Sequence, residues 1–141
     1  MNRNLNPIPN RLQILQLNLN KSQKAHLDLI NGALQVGKWW DIILIQEPYI
    51  TYLGHIQTPN CFVSISPQAR LTKPEDTVRL VIWVNSGLSS NSWKVLNISG
   101  NNDLTVVQIK TGNTTILIIN IYNDCTHSLT LTRLRRYMQT E

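Results

Sequence analysis

Carboxylates are scarce in this chain: eight Asp and Glu stand against thirteen Lys and Arg in 141 residues. A mechanism that needs several acidic metal ligands therefore has a short list to draw on. Cysteine is scarcer still, with Cys61 and Cys125 alone. The two are isolated and make no metal-ligand spacing, so each is expected as a buried free thiol in a reducing compartment. No apolar run reaches the eighteen residues that argue a membrane-crossing helix, which excludes a membrane partner of that kind. The opening MNRNLNPIPNR has no apolar stretch of signal-peptide length, so an intracellular location, the nucleus included, is expected. There is no internal repeat, low-complexity tract or linker, and the length suits one domain.

What is present is a globular composition, 42% hydrophobic and 15% charged, with a formal net charge of +5 and a pI near 9.5. That balance is compatible with a polyanionic partner such as nucleic acid. Arg133, Arg135 and Arg136 form the tight basic cluster, on a segment (128–138) whose Leu and Met spacing predicts a helix with a basic side.

Residues 1–10, rich in Asn and Pro, read as a loose lead-in. RLQILQLNLN at 11–20 alternates, with an apolar face carried by Leu15, Leu17 and Leu19 and a second face that turns polar at Asn18 and Asn20. Ser22 is a suitable N-cap for a helix over 23–36, and Gly37 suits its end. DIILIQEPY at 41–49 follows. Its four consecutive apolar residues predict a strand buried on both faces, closed by Gln46, Glu47 and Pro48. Strand, helix and strand form a crossover unit. Further strands are predicted at 61–65, 79–84, 93–98, 104–110 and 114–122, with a tight hairpin at Thr111-Gly112-Asn113. The total is about seven strands and two helices. His26, His55 and His127 fall on a helix or in loops and read as packing or solvated residues.

Three buried strands thus end in polar groups: Asn18 and Asn20, Gln46 and Glu47, and Asn120 with Tyr122 and Asn123. Brought together, they would offer a carboxylate, amides and a phenol. Hard cations such as Mg²⁺ accept carboxylate and amide oxygens and keep several waters, and a cation so held can polarise a phosphoryl oxygen.

LQLNLNKS at 15–22, ILIQEPY at 43–49 and IINIYN at 118–123 resemble the endonuclease/exonuclease/phosphatase (DNase I-like) superfamily. More narrowly they resemble the endonuclease domain of non-LTR (LINE-type) retrotransposon polyproteins. The resemblance implies an α+β fold, the DNase I-like αββα sandwich, of which residues 11–141 would be the N-terminal part, truncated at the C-terminus. It implies Mg²⁺ (or Mn²⁺) as cofactor and DNA as partner, nicked to prime reverse transcription. By that resemblance Glu47 is the metal ligand and Asn20 assists it. Asn18 orders the phosphate and metal shell, Tyr122 lies near the phosphate, and Asn120 lies beside it. Arg133, Arg135 and Arg136 are expected to touch nucleic acid.

The family's later Gly-Asp-x-Asn and Ser-Asp-His motifs do not occur in these 141 residues. The chain alone is therefore expected to be nearly inert, because loss of a general base or a transition-state donor each costs on the order of 10² to 10⁴ in rate. Strands 41–47 and 114–122 are expected to expose one face, with the missing C-terminal half, or a reverse-transcriptase region of a longer polyprotein, as the absent partner. Two other functions remain open on the sequence: a phosphatase of the same superfamily and a non-catalytic nucleic-acid-binding remnant.

Overall fold

The computed structural model describes residues 11–32, 39–67, 78–96, 103–123 and 129–139. The lead-in at 1–10, the predicted helix end at 33–37, the turn at 99–102, Cys125, His127 and the side chain of Arg133 lie outside the described residues.

The elements run β1 (Ile14–Asn18), α1 (Gln23–Ile30), β2 (Ile42–Gln46), β3 (Phe62–Ile65), β4 (Leu80–Asn85), β5 (Trp93–Leu96), β6 (Leu104–Thr111), β7 (Thr114–Ile121) and α2 (Leu129–Gln139). The first sheet has the order β1-β2-β4-β3 and the second β5-β6-β7. β1 and β2 are parallel, as a helical crossover demands, and every other pairing is antiparallel. The fold is α+β.

Local signals explain these elements. The Ser22 hydroxyl accepts the Ala25 N–H at 3.1 Å and caps α1. Lys24 and Asp28, one turn apart on the exposed side, form a 2.7 Å pair, and the hydrogen bond to Asp28 raises the Lys24 pKa. In the β6–β7 hairpin Thr111 faces Thr114, and Gly112 takes the positive φ of 53° that a two-residue turn requires at its first central position.

Alternation along the strands gives the first sheet two covered faces. On one side Ile43, Ile45, Val81 and Trp83 pack against Ala25, Leu29 and Ile30 of α1. On the other, Ile42, Ile82 and Val84 meet Val107, Ile109 and Ile118 of the second sheet. Ile42, Ile43 and Ile45 are fully buried, each contributing about 1.5–3 kcal/mol through removal from water. The expectation that strand 41–47 would expose a face is therefore corrected: β5, β6 and β7 already build a second sheet over it. The exposed inward face belongs instead to β1, at the edge, where Ile14, Gln16 and Asn18 are open to solvent. On β7, Ile118 and Asn120 are buried while Leu117, Ile119 and Ile121 are half-buried. Cys61 is exposed, not buried, because it lies in the turn before β3, where its carbonyl serves the Ser86 N–H and hydroxyl.

Three buried or half-buried polar side chains stitch these layers. His26, fully buried on α1, uses Nε2 on the Gln57 carbonyl at 2.7 Å and Nδ1 on the Tyr49 N–H at 3.1 Å. Accepting at Nδ1 leaves Nε2 as the donor, which fixes the neutral tautomer. Its ring meets Trp83 edge-on, so the packing reading of this histidine holds. Gln46 donates to the Ile121 carbonyl at 2.5 Å. Asn120 reaches from β7 into the first sheet and donates to the Ile45 and Val81 carbonyls at 3.1 and 2.9 Å.

Truncating Asn120 would remove both cross-sheet hydrogen bonds, which are second bonds on carbonyls already paired in the β2–β4 ladder. We expect Asn120→Ala to lose about 1–3 kcal/mol in urea unfolding with an unchanged m-value. A loss below about 0.5 kcal/mol, the range of ordinary surface substitutions, would show that the bridge carries no weight.

Candidate functional site

Regular alternation would send Glu47 to the same side as Ile43 and Ile45, under α1. It does not go there. Glu47 has a φ of 52°, the left-handed region, which costs a non-glycine residue about 1–2 kcal/mol. The reversal carries its side chain toward the second sheet, where the Tyr122 hydroxyl donates to Glu47 Oε1 at 3.0 Å. The backbone around it holds this conformation on both flanks. Glu47 N–H donates to the Arg79 carbonyl at 2.7 Å, and its own carbonyl accepts from Lys21 N–H at 2.9 Å. Leu19 N–H donates to the Gln46 carbonyl at 2.9 Å, continuing the β1–β2 ladder past the end of β1.

The β1 end is built in the same style. Asn20 and Lys21 also have positive φ, 52° and 57°. Asn18 Oδ1 accepts the Asn20 N–H at 2.8 Å, the side-chain turn that favours Asn at such corners. Asn18 pairs with Gln46 in the β1–β2 register, so it shares the face that looks toward the second sheet, one residue from Glu47.

Arg79 completes the cluster. Its guanidinium lies 5.3 Å from the centre of the Tyr122 ring, a cation–π distance. It also stands 3.9 Å from the Asp103 carboxylate, and the Asp103 carbonyl accepts the Tyr122 N–H at 3.0 Å. The tyrosine is thus held by its ring, its backbone and its hydroxyl.

No protein-family profile matches the chain, and no curated protein matches it. Among solved structures, the endonuclease domain of TRAS1, a telomere-specific non-LTR retrotransposon, is similar, with a TM-score of 0.64 at 21% identity over 92% of this chain. Over that span the chain shares the fold of that endonuclease domain. It spans 53% of the neighbour's length, so roughly half of the endonuclease fold is represented.

Within that endonuclease fold, Glu47 and Tyr122 are in direct contact and Asn18 and Asn20 form the adjoining corner. Asn120 is buried beneath them with both Nδ2 hydrogens on backbone carbonyls, a position that supports the site from below. Arg135 and Arg136 are exposed on α2, and no described hydrogen bond or ion pair joins them to Glu47. Arg79 was not singled out in the sequence. Its signal was available, as a lone charge directly before the apolar run LVIWV, but a pairing partner was needed to give it meaning: Gln46 faces Leu80, which sets Arg79 beside Glu47.

Among the described residues no group of three or more His, Cys, Asp and Glu side chains is placed to hold a metal. Glu47 supplies one carboxylate, with Asn18 and Asn20 as neighbouring amides. That set suits a weakly held, largely hydrated hard cation, since Mg²⁺ is commonly bound through one or two carboxylates with waters retained.

Lys21 carries the left-handed strain without a described side-chain contact. We expect Lys21→Gly to raise stability by about 1 kcal/mol, the relief of the left-handed cost less the entropy that glycine adds to the unfolded chain. Thermal unfolding checks this, and a destabilised variant would show that the lysine side chain supports the corner.

Proposed function

We propose that the chain is part of a Mg²⁺- (or Mn²⁺-) dependent DNA endonuclease that hydrolyses a phosphodiester bond, and that it supplies the metal- and phosphate-holding side of the active site. The observation that carries this reading is the Glu47–Tyr122 contact, formed where a strained, doubly hydrogen-bonded turn points a carboxylate out of the core. Such strain persists only where the surrounding structure enforces it, and it clusters at functional sites.

Glu47 would hold the cation through the carboxylate oxygen that Tyr122 does not occupy, with Asn18 and Asn20 completing the shell directly or through water. When bound, the metal supplies Lewis-acid polarisation of a phosphoryl oxygen. Tyr122 spends its one hydroxyl proton on Glu47, which fixes the carboxylate rotamer, and its ring would lie beside the phosphate. Arg79, stacked on that phenol, adds positive charge beside the scissile group and keeps the ring in place. The likeness to a retrotransposon endonuclease domain supports DNA as substrate. On this proposal the chain would serve to nick a chromosomal target, in the nucleus, alongside a reverse-transcriptase region of a longer polyprotein. Gly-Asp-x-Asn and Ser-Asp-His are absent from these residues. Full turnover would need the remainder of the domain.

A second reading has its own support. Arg135 and Arg136 are exposed on one helix of a chain with net charge +5, which favours salt-dependent nucleic-acid binding without cleavage.

The test is Mn²⁺ binding followed by electron paramagnetic resonance. Glu47→Gln keeps the acceptor for Tyr122 and removes the charge. We expect its Mn²⁺ affinity to fall by roughly tenfold or more, since even outer groups of metal sites cost 10- to 100-fold. Equal affinity in the two proteins would overturn the metal role of Glu47 and leave the binding-only reading.

A further inference from the structure

The loop from Pro48 to Asn60 leaves the Glu47 corner and ends in a built turn. Thr51 N–H donates to the His55 carbonyl at 2.9 Å, Gly54 N–H to the Thr51 carbonyl at 2.8 Å, and His55 N–H to Thr51 Oγ1 at 3.1 Å. Gly54, with a φ of 82°, allows the reversal. At its tip stand Tyr52, 95% exposed, and Leu53, 67% exposed. These are the two most exposed large apolar side chains among the described residues. The base of the loop is anchored by His26, which holds Tyr49 N–H and the Gln57 carbonyl at once. A single apolar side chain on a surface is ordinary. An aromatic ring held out on a turn fixed by three hydrogen bonds, above a buried anchor, is positioned for something.

We propose that this turn is a base-contacting finger, in which Tyr52 stacks on an unstacked nucleotide base close to the phosphate bound at Glu47. The inference rests on the endonuclease reading above. Three observations favour a base over other occupants. The loop sequence PYITYLGHIQTPN has no Asp, Glu, Lys or Arg, so it neither repels the strand nor reads phosphates. Two side chains are far too small for a stable protein interface, which buries about 800 Å² on each partner, whereas a stack needs one ring face. Finally, Tyr52 follows Glu47 by five residues. An extended chain covers at most about 3.3–3.6 Å per residue, which limits the separation to about 18 Å, or about five nucleotides of one strand.

The experiment measures binding of the whole 141-residue chain to a short single-stranded oligonucleotide containing 2-aminopurine. Anisotropy gives affinity, and 2-aminopurine quenching reports stacking. Tyr52 is exposed, so its substitution does not disturb packing, and circular dichroism checks that directly. We expect Tyr52→Ala to weaken binding roughly five- to a hundredfold and to lose the quenching, with the salt slope unchanged because phosphate contacts are untouched. Tyr52→Trp should retain both affinity and quenching. Wild-type affinity and quenching in Tyr52→Ala would overturn the finger and leave the endonuclease reading standing. No DNA binding by the wild-type chain at any salt concentration would overturn that reading, and the finger with it.

Discussion

The constraint on which this structure turns is the backbone of Glu47. It closes the ladder to β4 through its N–H and the corner after β1 through its carbonyl, while its φ sits in the left-handed region. The N–H bond continues the β2–β4 ladder, whereas the carbonyl bond to Lys21 lies beyond the φ rotation and depends on the left-handed conformation. The strain of about 1–2 kcal/mol is offset by two buried-edge hydrogen bonds and by the carboxylate's contact with Tyr122. The result is a charged group delivered to the seam between two sheets from a strand whose first four residues are apolar.

That seam is secured by amides instead of charges. Asn120 crosses to two carbonyls of the first sheet, and Gln46 crosses back to the end of β7. Neutral amides suit this role because they satisfy backbone groups without the desolvation cost of a buried ion. The crossing fixes the end of β7 against the end of β2, and Tyr122 and Glu47 are the next residues on each. The catalytic candidates thus inherit their alignment from packing one residue deeper, and Arg79 braces the tyrosine from the third strand end.

Much of this was legible residue by residue. Ser22 as a cap, the alternation of 11–20, the apolar run of β2 and the Gly-Asn hairpin each follow from local rules, and the structure has all four. Polar groups at three strand ends were also visible. What local rules could not give was whether two of those ends meet. The expected exposure of β2 failed because covering it depends on β5–β7 folding back over it, a long-range event that no pattern within β2 encodes. Cys61 was misjudged for a related reason: composition favours burial of cysteine, while one residue's place in a turn decides it.

The sequence by itself determined the elements, their order and the chemistry on offer, because helix caps, alternation and turn residues act within a few positions of the chain. It also fixed which polar groups stand at strand ends. The tertiary structure alone decided that Asn120 is buried on carbonyls of the first sheet while Tyr122, just past the end of the same strand, reaches Glu47, since both are polar residues two positions apart in sequence. It decided that Glu47 turns away from α1, and that Arg79 belongs with it. Those outcomes depend on the register between β2 and β4 and on the approach of a second sheet, and contacts between residues 32 and 75 positions apart leave no mark on either segment alone.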